Sequence, residues 1–281
     1  MHQSSTHDPS FDPAPLTAFV LAGGGSFGAA QAGMLLALAE AGIVPDLIFG
    51  TSVGALNGAF FAEGGDVEAA VRLREIWFRL RRRDVFPVQL RPLMAGITRR
   101  RDGVFSAERL ITFINTNLPY RVLEDAPIPM FAMATDLGTG SAIAISSGDA
   151  GVALAASAAI PGVFPPVEID GRFLADGSIA ADLAISAALE RGATTIYALP
   201  TASNGDGPPR GPLAVVQRAT DLFIQYGTRQ ELSAGDGVVH LLPTPVTDVS
   251  SFNFSESRTL FNDGHDLAAD WLQDRQPAAQ R

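Results

Sequence analysis

A serine between two glycines follows a short apolar segment of the chain. Leu47-Ile48-Phe49 predicts a strand, and Gly50-Thr51-Ser52-Val53-Gly54 follows it directly and opens a stretch with helical character. A sharp turn from strand to helix holds its serine in a strained conformation, and it requires glycine two residues before and after because side chains there would collide with backbone. The pentapeptide alone is a weak signal, but this context favours a nucleophile elbow over an inert turn. Ser52 is therefore a candidate nucleophile, with Gly50 and Gly54 as the glycines that permit the turn.

A second glycine-rich loop lies upstream of the elbow. Gly23-Gly24-Gly25-Ser26-Phe27-Gly28 stands between a predicted strand and a predicted helix, where free backbone N–H groups can hold an anion. The spacing of Gly23, Gly25 and Gly28 also fits a dinucleotide cradle, but that site needs an acidic residue at the end of the next strand, whereas Asp46 precedes that strand. An oxyanion hole for the carbonyl that Ser52 attacks is the better interpretation. A tight turn without further role is the other alternative.

A serine nucleophile needs a base, and the chain offers few groups for that role. His240 lies in an apolar stretch typical of a strand, and His265 lies in a polar segment near the end of the chain. Asp176 differs, because it ends the apolar strand Phe173-Leu174-Ala175 and Gly177 then lets the chain turn away. A triad of Ser52, Asp176 and a histidine fits the chain order of an α/β-hydrolase, but the elbow follows only one earlier strand, where that fold has several. A non-catalytic lipid- or nucleotide-binding module is the third alternative.

The composition excludes several other kinds of site. All 20 basic residues are arginine, so a Schiff base, a Ser/Lys dyad and a P-loop lysine are absent. The chain has no cysteine, which excludes a thiolate nucleophile, a cysteinyl zinc site and a disulfide. Two of the four histidines, His2 and His7, fall in a Ser/Pro/Asp-rich leader, so a histidine-based metal site has little support. We expect neither a metal nor a cofactor.

Charge is unevenly distributed along the chain. The net charge is −10, yet the segment Arg72–Arg101 holds ten arginines and two acidic residues, a local charge of +8. An acidic chain disfavours general nucleic-acid binding. Aromatic residues such as Trp77 and Phe86 are interleaved with these arginines, which suits contact with anionic lipid, and a solvated basic face is an equal alternative. No apolar run approaches the roughly 20 residues of a membrane span and no signal peptide is evident, so we expect a cytoplasmic protein that contacts the membrane at most peripherally.

Apolar runs and turn residues predict alternating strands and helices, which is the pattern of an α/β sheet. Strands are expected at residues 16–21, 47–49, 130–135, 142–145, 167–169, 172–174, 194–199 and 238–242. Helices are expected at residues 28–41, 53–63, 67–80, 106–117, 183–190 and 213–229. No repeat or linker divides them, so we expect a disordered leader at 1–15, a single domain at 16–265 and a C-terminal tail at 266–281.

Five segments of the chain together resemble the patatin-like phospholipases. They are the glycine loop Gly23–Gly28, the elbow Gly50–Gly54 with the residues behind it, Asp176-Gly177 near a hairpin, and two supporting stretches at residues 134–140 and 156–166, within a region of likeness at 16–200. The resemblance implies an α/β fold, a three-layer α/β/α sandwich with a mainly parallel central sheet. It also implies a lipid acyl hydrolase without a metal, in which Ser52 is the nucleophile, Asp176 its base, and the amides of Gly23, Gly24 and Gly25 the oxyanion hole.

The reaction that this resemblance implies passes through an acyl-serine, which water then hydrolyses. A free aspartate, with a pKa near ~3.9, is a weak base for a hydroxyl, so burial must raise the pKa of Asp176. The chain departs from the family pattern at three places. Phe27 stands where the glycine loop commonly has Arg or Lys, Ser178 where Gly or Ala is common, and Asp182 and Ala184 where Asn and Pro often occur. None of these departures removes a catalytic group.

Overall fold

The structure is a computed structural model that describes residues 14–85, 106–204 and 212–275. Nearly all of the leader expected at 1–15 lies outside the described residues. The same holds for residues 86–101 of the arginine-rich segment and for the last six residues of the tail.

A central sheet of eight strands organises the described residues. The strands are β1 Thr17–Leu21, β2 Leu47–Thr51, β3 Met130–Asp136, β4 Ala142–Ile145, β5 Val167–Ile169, β6 Arg172–Asp176, β7 Thr195–Leu199 and β9 Val239–Leu241; β8 Ser203–Asn204 and β10 Val246–Thr247 form a separate parallel pair. The strands of the central sheet follow the order β5-β6-β3-β2-β1-β7-β9, and β4 pairs with β3. Pairing is parallel from β3 through β2, β1 and β7 to β9, and antiparallel where β4 and β6 meet β3 and where β5 meets β6.

Helices cover both faces of this sheet. Phe19 and Leu21 of β1 belong to one buried apolar cluster, while Ala18 and Val20 belong to another on the opposite face, as alternation along a strand requires. The three-layer α/β/α sandwich expected from the sequence is therefore confirmed. The described helices are α1 Gly28–Glu40, α2 Val53–Phe61, α3 Val67–Arg79, α4 Arg82–Val85, α5 Glu108–Asn117, α6 Ala150–Ser157, α7 Ile185–Glu190, α8 Pro212–Ala234 and α9 Ser257–Arg275.

The helix after the glycine loop is enclosed on all sides. Residues 28–38 of α1 are all buried, and α9 packs along α1 at very short range. A Cβ added to Gly33 would collide with the carbonyl of Phe261, and one added to Gly264 would collide with the carbonyl of Ala30. These two glycines let the helix backbones touch, so α1 is held between the sheet and the last helix.

The last helix differs from the expectation of a tail beginning at residue 266. α9 runs from Ser257 through that boundary to Arg275, and its buried Leu260, Phe261 and Ala268 contact the core. The sequence also did not predict α4, α6, β8 or β10, whereas every strand and helix that it did predict is present within a few residues of its expected bounds. None of the described helices is long and apolar enough to cross a membrane.

Candidate active site

Ser52 occupies a strained turn between β2 and α2. Its φ of 55° and ψ of −122° lie where side chains are rarely found, and Asp170 is the other non-glycine residue with positive φ in the described parts of the chain. A Cβ on Gly50 would collide with the carbonyl of Gly54, and one on Gly54 would collide with the carbonyl of Leu21. Such backbone strain costs about 1–3 kcal/mol and persists only where surrounding structure enforces it. The turn has the geometry of a nucleophile elbow.

The elbow is tied to the neighbouring strand through Ser157 at the end of α6. The amide of Ser52 donates to the Ser157 hydroxyl at 3.0 Å, and this hydroxyl donates to the Met133 carbonyl of β3 at 2.6 Å. Because all of these groups are buried, losing one of them would leave a polar atom without a partner.

Asp176 is the last residue of β6, and both its backbone amide and its backbone carbonyl are hydrogen-bonded. Its amide donates to the Ala159 carbonyl at 3.0 Å, and its carbonyl accepts from the Thr135 hydroxyl at 2.8 Å. Its Oδ1 accepts from the amide of Ser178 at 2.9 Å. A side chain on Gly177 would collide with the Met133 carbonyl, so this residue lets the chain leave the strand directly against β3. The carboxyl group is therefore fixed in direction.

Burial raises the pKa of the Asp176 carboxyl, and the nearby hydroxyl of Ser52 and the contacts with Ser178 offset this only in part. The second oxygen, Oδ2, is buried and makes no regular hydrogen bond to any described residue. The Ser52 hydroxyl lies close enough to lower the pKa of Asp176, but it makes no regular hydrogen bond to Oδ2. The pKa of Asp176 is therefore shifted upward by burial, which is the direction expected from the sequence.

The glycine loop lies directly against the elbow. A Cβ on Gly23 would lie 3.3 Å from the Cβ of Ser52. The amide of Gly23 donates to Asp182 Oδ1 at 2.9 Å, whereas the amides of Gly24 and Gly25 have no hydrogen-bond acceptor among the described residues. Of the three amides expected to form an oxyanion hole, those of Gly24 and Gly25 are free to donate to a substrate oxygen, whereas that of Gly23 is bonded to Asp182. Gly23 lacks a side chain, which lets the loop approach Ser52 closely.

A pocket opens from Ser52 between α2, α3 and α5. The volume of the pocket is about 60 Å³, and about 610 Å³ when the solvent-filled space at its mouth is counted as well. Apart from Ser52, the polar side-chain atoms of its lining belong to Asn57 and Trp77, which bond one another at 2.9 Å. The lining is otherwise hydrocarbon or aromatic, which suits a hydrocarbon chain. It consists of Gly25, Ser52, Val53, Leu56, Asn57, Phe60, Leu73, Ile76, Trp77, Leu80, Val85, Leu110, Phe113, Ala158, Ile160, Phe164 and Phe254.

A buried amide network joins the pocket to the glycine loop. Asn57 Nδ2 donates to the Gly28 carbonyl and to Gln31 Oε1, each at 2.9 Å. Gln31 Nε2 donates to the carbonyls of Ala22 at 3.3 Å and Leu199 at 2.7 Å. A Cβ on Gly28 would collide with the side chain of Val53, so α1 and α2 are in close contact here. The network fixes both helices relative to the ends of β1 and β7.

Neither described histidine reaches the candidate site. The His240 ring stacks on Tyr197 with centroids 5.1 Å apart, on a strand separated from β2 by β7 and β1. His265 Nε2 lies 2.9 Å from Glu40 Oε2, and its Nδ1 lies 2.9 Å from Asp266 Oδ1. Neither ring bonds Ser52 or Asp176 or lines the pocket, so the triad alternative has no imidazole in place among the described residues.

Several residues around the site were not singled out from the sequence. Ser157 lies within the supporting stretch 156–166, and Asn57 lies directly behind the elbow, so the sequence signal for both is their position in a segment that resembles the family. The sequence indicates Asp182 only as a departure from the family pattern. Thr201, whose hydroxyl donates to the Gly23 carbonyl at 2.8 Å, carries no signal in the sequence.

The chain is similar to several curated proteins. An uncharacterized NTE family protein of Mycobacterium tuberculosis is 38% identical over 168 residues, which are 59% of this chain and 43% of that protein. Patatin-like phospholipase domain-containing protein 7 of Rattus norvegicus is 33% identical over 192 residues, 67% of this chain and 14% of that protein. Lysophospholipase NTE1 of Coccidioides immitis is 31% identical over 196 residues, 68% of this chain and 12% of that protein. The chain spans less than half the length of each of these relatives.

The fold and a family model agree with these similarities. VipD from Legionella pneumophila matches 93% of this chain and 67% of its own with a TM-score of 0.50 and 14% identity, which shows a shared fold. The family model described as patatin-like phospholipase matches residues 19–189, more than half of the chain, and this range includes Ser52 and Asp176. The chain belongs to the patatin-like phospholipase family.

Proposed function

We propose that the protein hydrolyses a carboxylic ester of a lipid, with Ser52 as the nucleophile and Asp176 as the general base. One observation carries this proposal: the strained Ser52 lies between a buried carboxyl group of raised pKa and the opening of an apolar pocket. An activated serine, a base and a place for an acyl chain therefore meet at one point. A binding module would need none of the strain at Ser52.

Acylation begins when Ser52 Oγ attacks the carbonyl carbon of the ester and the Asp176 carboxylate takes the hydroxyl proton. The carbonyl oxygen becomes negative and is stabilised by the amides of Gly24 and Gly25. The bond between the carbonyl carbon and the alcohol oxygen then breaks, and Asp176 returns its proton to that oxygen. The alcohol leaves, and the acyl group remains on Ser52.

Deacylation repeats these steps with water as the nucleophile. Asp176 takes a proton from the water as its oxygen attacks the acyl-serine, and the same two amides stabilise the second oxyanion. The bond between the acyl carbon and Ser52 Oγ breaks, Oγ recovers the proton from Asp176, and the fatty acid leaves. No step requires a group beyond this chain and water.

The lining of the pocket indicates which part of the substrate it holds. Its polar side-chain atoms other than the Ser52 hydroxyl are already bonded within the protein, so it offers hydrocarbon contact to an acyl chain and no further side-chain donor to a head group. Because one similar protein is named a lysophospholipase, a lysophospholipid is the first substrate to test. A soluble p-nitrophenyl ester reports on the same chemistry without a lipid surface.

The described part of the arginine-rich segment supports contact with anionic lipid. Arg81, Arg82 and Arg83 are exposed and form no ion pair within the described residues. They lie between Leu80 and Val85, which both line the pocket. Arginines at this position would face the head groups of a membrane whose lipids enter the pocket.

Labelling by a fluorophosphonate and release of fatty acid from a lysophospholipid test the proposed function together. The wild-type protein is expected to label once and to release fatty acid, and Ser52→Ala is expected to do neither. Ser233→Ala, which removes an exposed hydroxyl from α8, is the matched control and should behave as wild type. Equal labelling and turnover by Ser52→Ala and wild type would overturn the proposal.

A further inference from the structure

The carbonyl of Gly23 and the amide of Gly24 belong to one peptide unit, and a single side chain holds it. Thr201 Oγ1 donates to the Gly23 carbonyl at 2.8 Å. In a trans peptide the C=O and N–H groups point in opposite directions, and the described residues contain no cis peptide bond. The contact with Thr201 therefore turns the amide of Gly24 away from Thr201.

The neighbouring peptide units are fixed by other groups. The carbonyl of Ala22 accepts from Gln31 and the amide of Gly23 donates to Asp182, which holds the unit before. The carbonyl of Gly24 accepts from the amide of Phe27 at 3.2 Å, which holds the unit after. Within the described residues, the unit between Gly23 and Gly24 depends on Thr201 alone.

The need for such a contact follows from the glycines themselves. Gly24 has a φ of 149°, a value that few residues other than glycine adopt. Two consecutive glycines give little steric resistance to rotation of the peptide between them. A hydrogen bond is thus what selects one direction for the Gly24 amide.

We propose that Thr201 is a positioning residue of the oxyanion hole, which aims the Gly24 amide through the Gly23 carbonyl. This inference rests on the proposed function. Parallel pairing of β1 with β7 places Leu21 beside Leu199, and two residues further along Gly23 lies beside Thr201. The side chain of Thr201 also fills the space where a Cβ on Gly24 would lie. Thr201 follows the family-matched range 19–189, so the residue acts on the loop from outside that range.

The expected effect falls on turnover more than on substrate binding, because the oxyanion forms only as Ser52 attacks. Thr201→Val keeps the shape of the side chain and removes the hydroxyl. We expect it to lower kcat for a p-nitrophenyl ester by roughly tenfold to a hundredfold, below the effect of deleting an oxyanion donor outright. KM should stay within about twofold, since the pocket is unchanged. Thr201→Ser keeps the hydroxyl and should restore kcat to within about threefold.

The affinity for a ligand that mimics the tetrahedral intermediate should change only if Thr201 positions the oxyanion hole, and not if its role is merely structural. An alkyl boronic acid should bind the Thr201→Val protein at least about tenfold more weakly than wild type, while the product fatty acid binds equally well to both. Thr194→Val makes the same change at the opposite end of β7, where the hydroxyl contacts Leu16, and is the matched control. It should leave kcat and boronate binding unchanged.

Three results would overturn the assignment of Thr201. They are an unchanged kcat in folded Thr201→Val, an equal loss in Thr201→Ser and Thr201→Val, and a rise of KM at constant kcat. If Thr201→Val does not fold, Thr201→Ala takes its place, and a wild-type kcat in that variant would overturn the assignment. Failure of the proposed function looks different, because turnover would then be independent of Ser52 in the wild-type background.

Discussion

The amide of Ser52 donates a hydrogen bond of 3.0 Å to the hydroxyl of Ser157. Two residues later, the carbonyl of Ala159 accepts a hydrogen bond of 3.0 Å from the amide of Asp176. One short segment after α6 thus holds the backbones of both the proposed nucleophile and the proposed base. The distance between Ser52 and Asp176 is therefore set by this segment as well as by the pairing of β2, β3 and β6.

Ser157→Ala should weaken catalysis and stability together. The change leaves the buried amide of Ser52 and the carbonyl of Met133 without their partner, which costs about 1–3 kcal/mol for each unsatisfied group. We expect kcat for a soluble ester to fall roughly tenfold, because the position of Ser52 is no longer fixed, while KM changes little. Steady-state kinetics and urea unfolding measure the two effects.

Ser147 provides the matched control for this experiment, because it is exposed and does not line the pocket. Ser147→Ala should match wild type in both kcat and the free energy of unfolding. A folded Ser157→Ala protein with wild-type kcat would show that the segment at 157–159 does not position the nucleophile.

Asp176→Asn should abolish activity and raise stability at neutral pH. The pKa of Asp176 is raised in the folded protein, so the folded state holds its proton at pH values where the unfolded chain has lost it. The cost of burying the charge appears as the pH rises above about 4, the ordinary value of an aspartate, and is complete above the folded-state pKa. The asparagine carries no charge and escapes this cost. The Tm of Asp176→Asn should therefore exceed that of wild type at pH 8, and the difference should shrink toward pH 4.

Thermal unfolding of both proteins across this pH range, with exposed Asp236→Asn as the control, measures the effect. The control should show no pH-dependent difference from wild type of comparable size. A constant difference between Asp176→Asn and wild type from pH 4 to pH 8 would contradict the burial of an ionisable carboxyl at this position.

The parts of the site that the sequence predicts are those with local causes. Ser52 could be found because its turn needs Gly50 and Gly54 within two residues, and the glycine loop because it joins one apolar strand to one helix. Asp176 needed the family resemblance as well, since a single acidic residue after a strand is commonly a turn residue. A local steric requirement restricts the residue types a few positions away, and such a restriction can be recognised in a single sequence.

Contacts between distant parts of the chain produce no such local pattern of residue types. Thr201 meets Gly23 only because β1 and β7 pair in one register, and 178 residues separate the two. The last helix was missed because the polar residues Asn262 to Asp266 with Gly264 among them are typical of a loop. In the structure that glycine lies against the backbone of Ala30, so it serves close helix packing rather than a break. The structural role of such a residue depends on the residue that it packs against, and a single sequence does not show which residue that is.

Replacing Arg81, Arg82 and Arg83 together by Gln should weaken binding to anionic vesicles and leave hydrolysis of a soluble ester nearly unchanged. These side chains are exposed between Leu80 and Val85, which line the pocket, and they do not line it themselves, so they would meet head groups without touching Ser52. Binding of the wild-type protein should also weaken with added salt, because surface charges are screened over about 8 Å at physiological ionic strength. Cosedimentation with vesicles of anionic or neutral lipid measures both effects.

A triple change with the same loss of charge elsewhere provides the control. Arg109, Arg121 and Arg172 are exposed and lie outside the pocket lining, and replacing them by Gln should affect vesicle binding less. Equal binding of the wild-type protein to neutral and anionic vesicles would rule out the proposed role of the arginines.

The choice between a dyad and a triad can be decided with three variants. In a triad the imidazole carries the proton, and its removal lowers turnover by several orders of magnitude even when serine and carboxylate remain. In a dyad the carboxylate is the base, so Asp176→Asn should be nearly as damaging as Ser52→Ala. A protein with both His240→Gln and His265→Gln should keep kcat within about tenfold, a barrier change of ~1.4 kcal/mol.

Circular dichroism must accompany these measurements, because both histidines have structural contacts of their own. His240 stacks on Tyr197, and His265 links Glu40 at the end of α1 to α9. The double variant can therefore lose stability while keeping its activity at low temperature, which is the result that a dyad requires. A folded double-histidine variant without activity, beside an Asp176→Asn protein that keeps most of its activity, would transfer the role of base from the carboxylate to an imidazole.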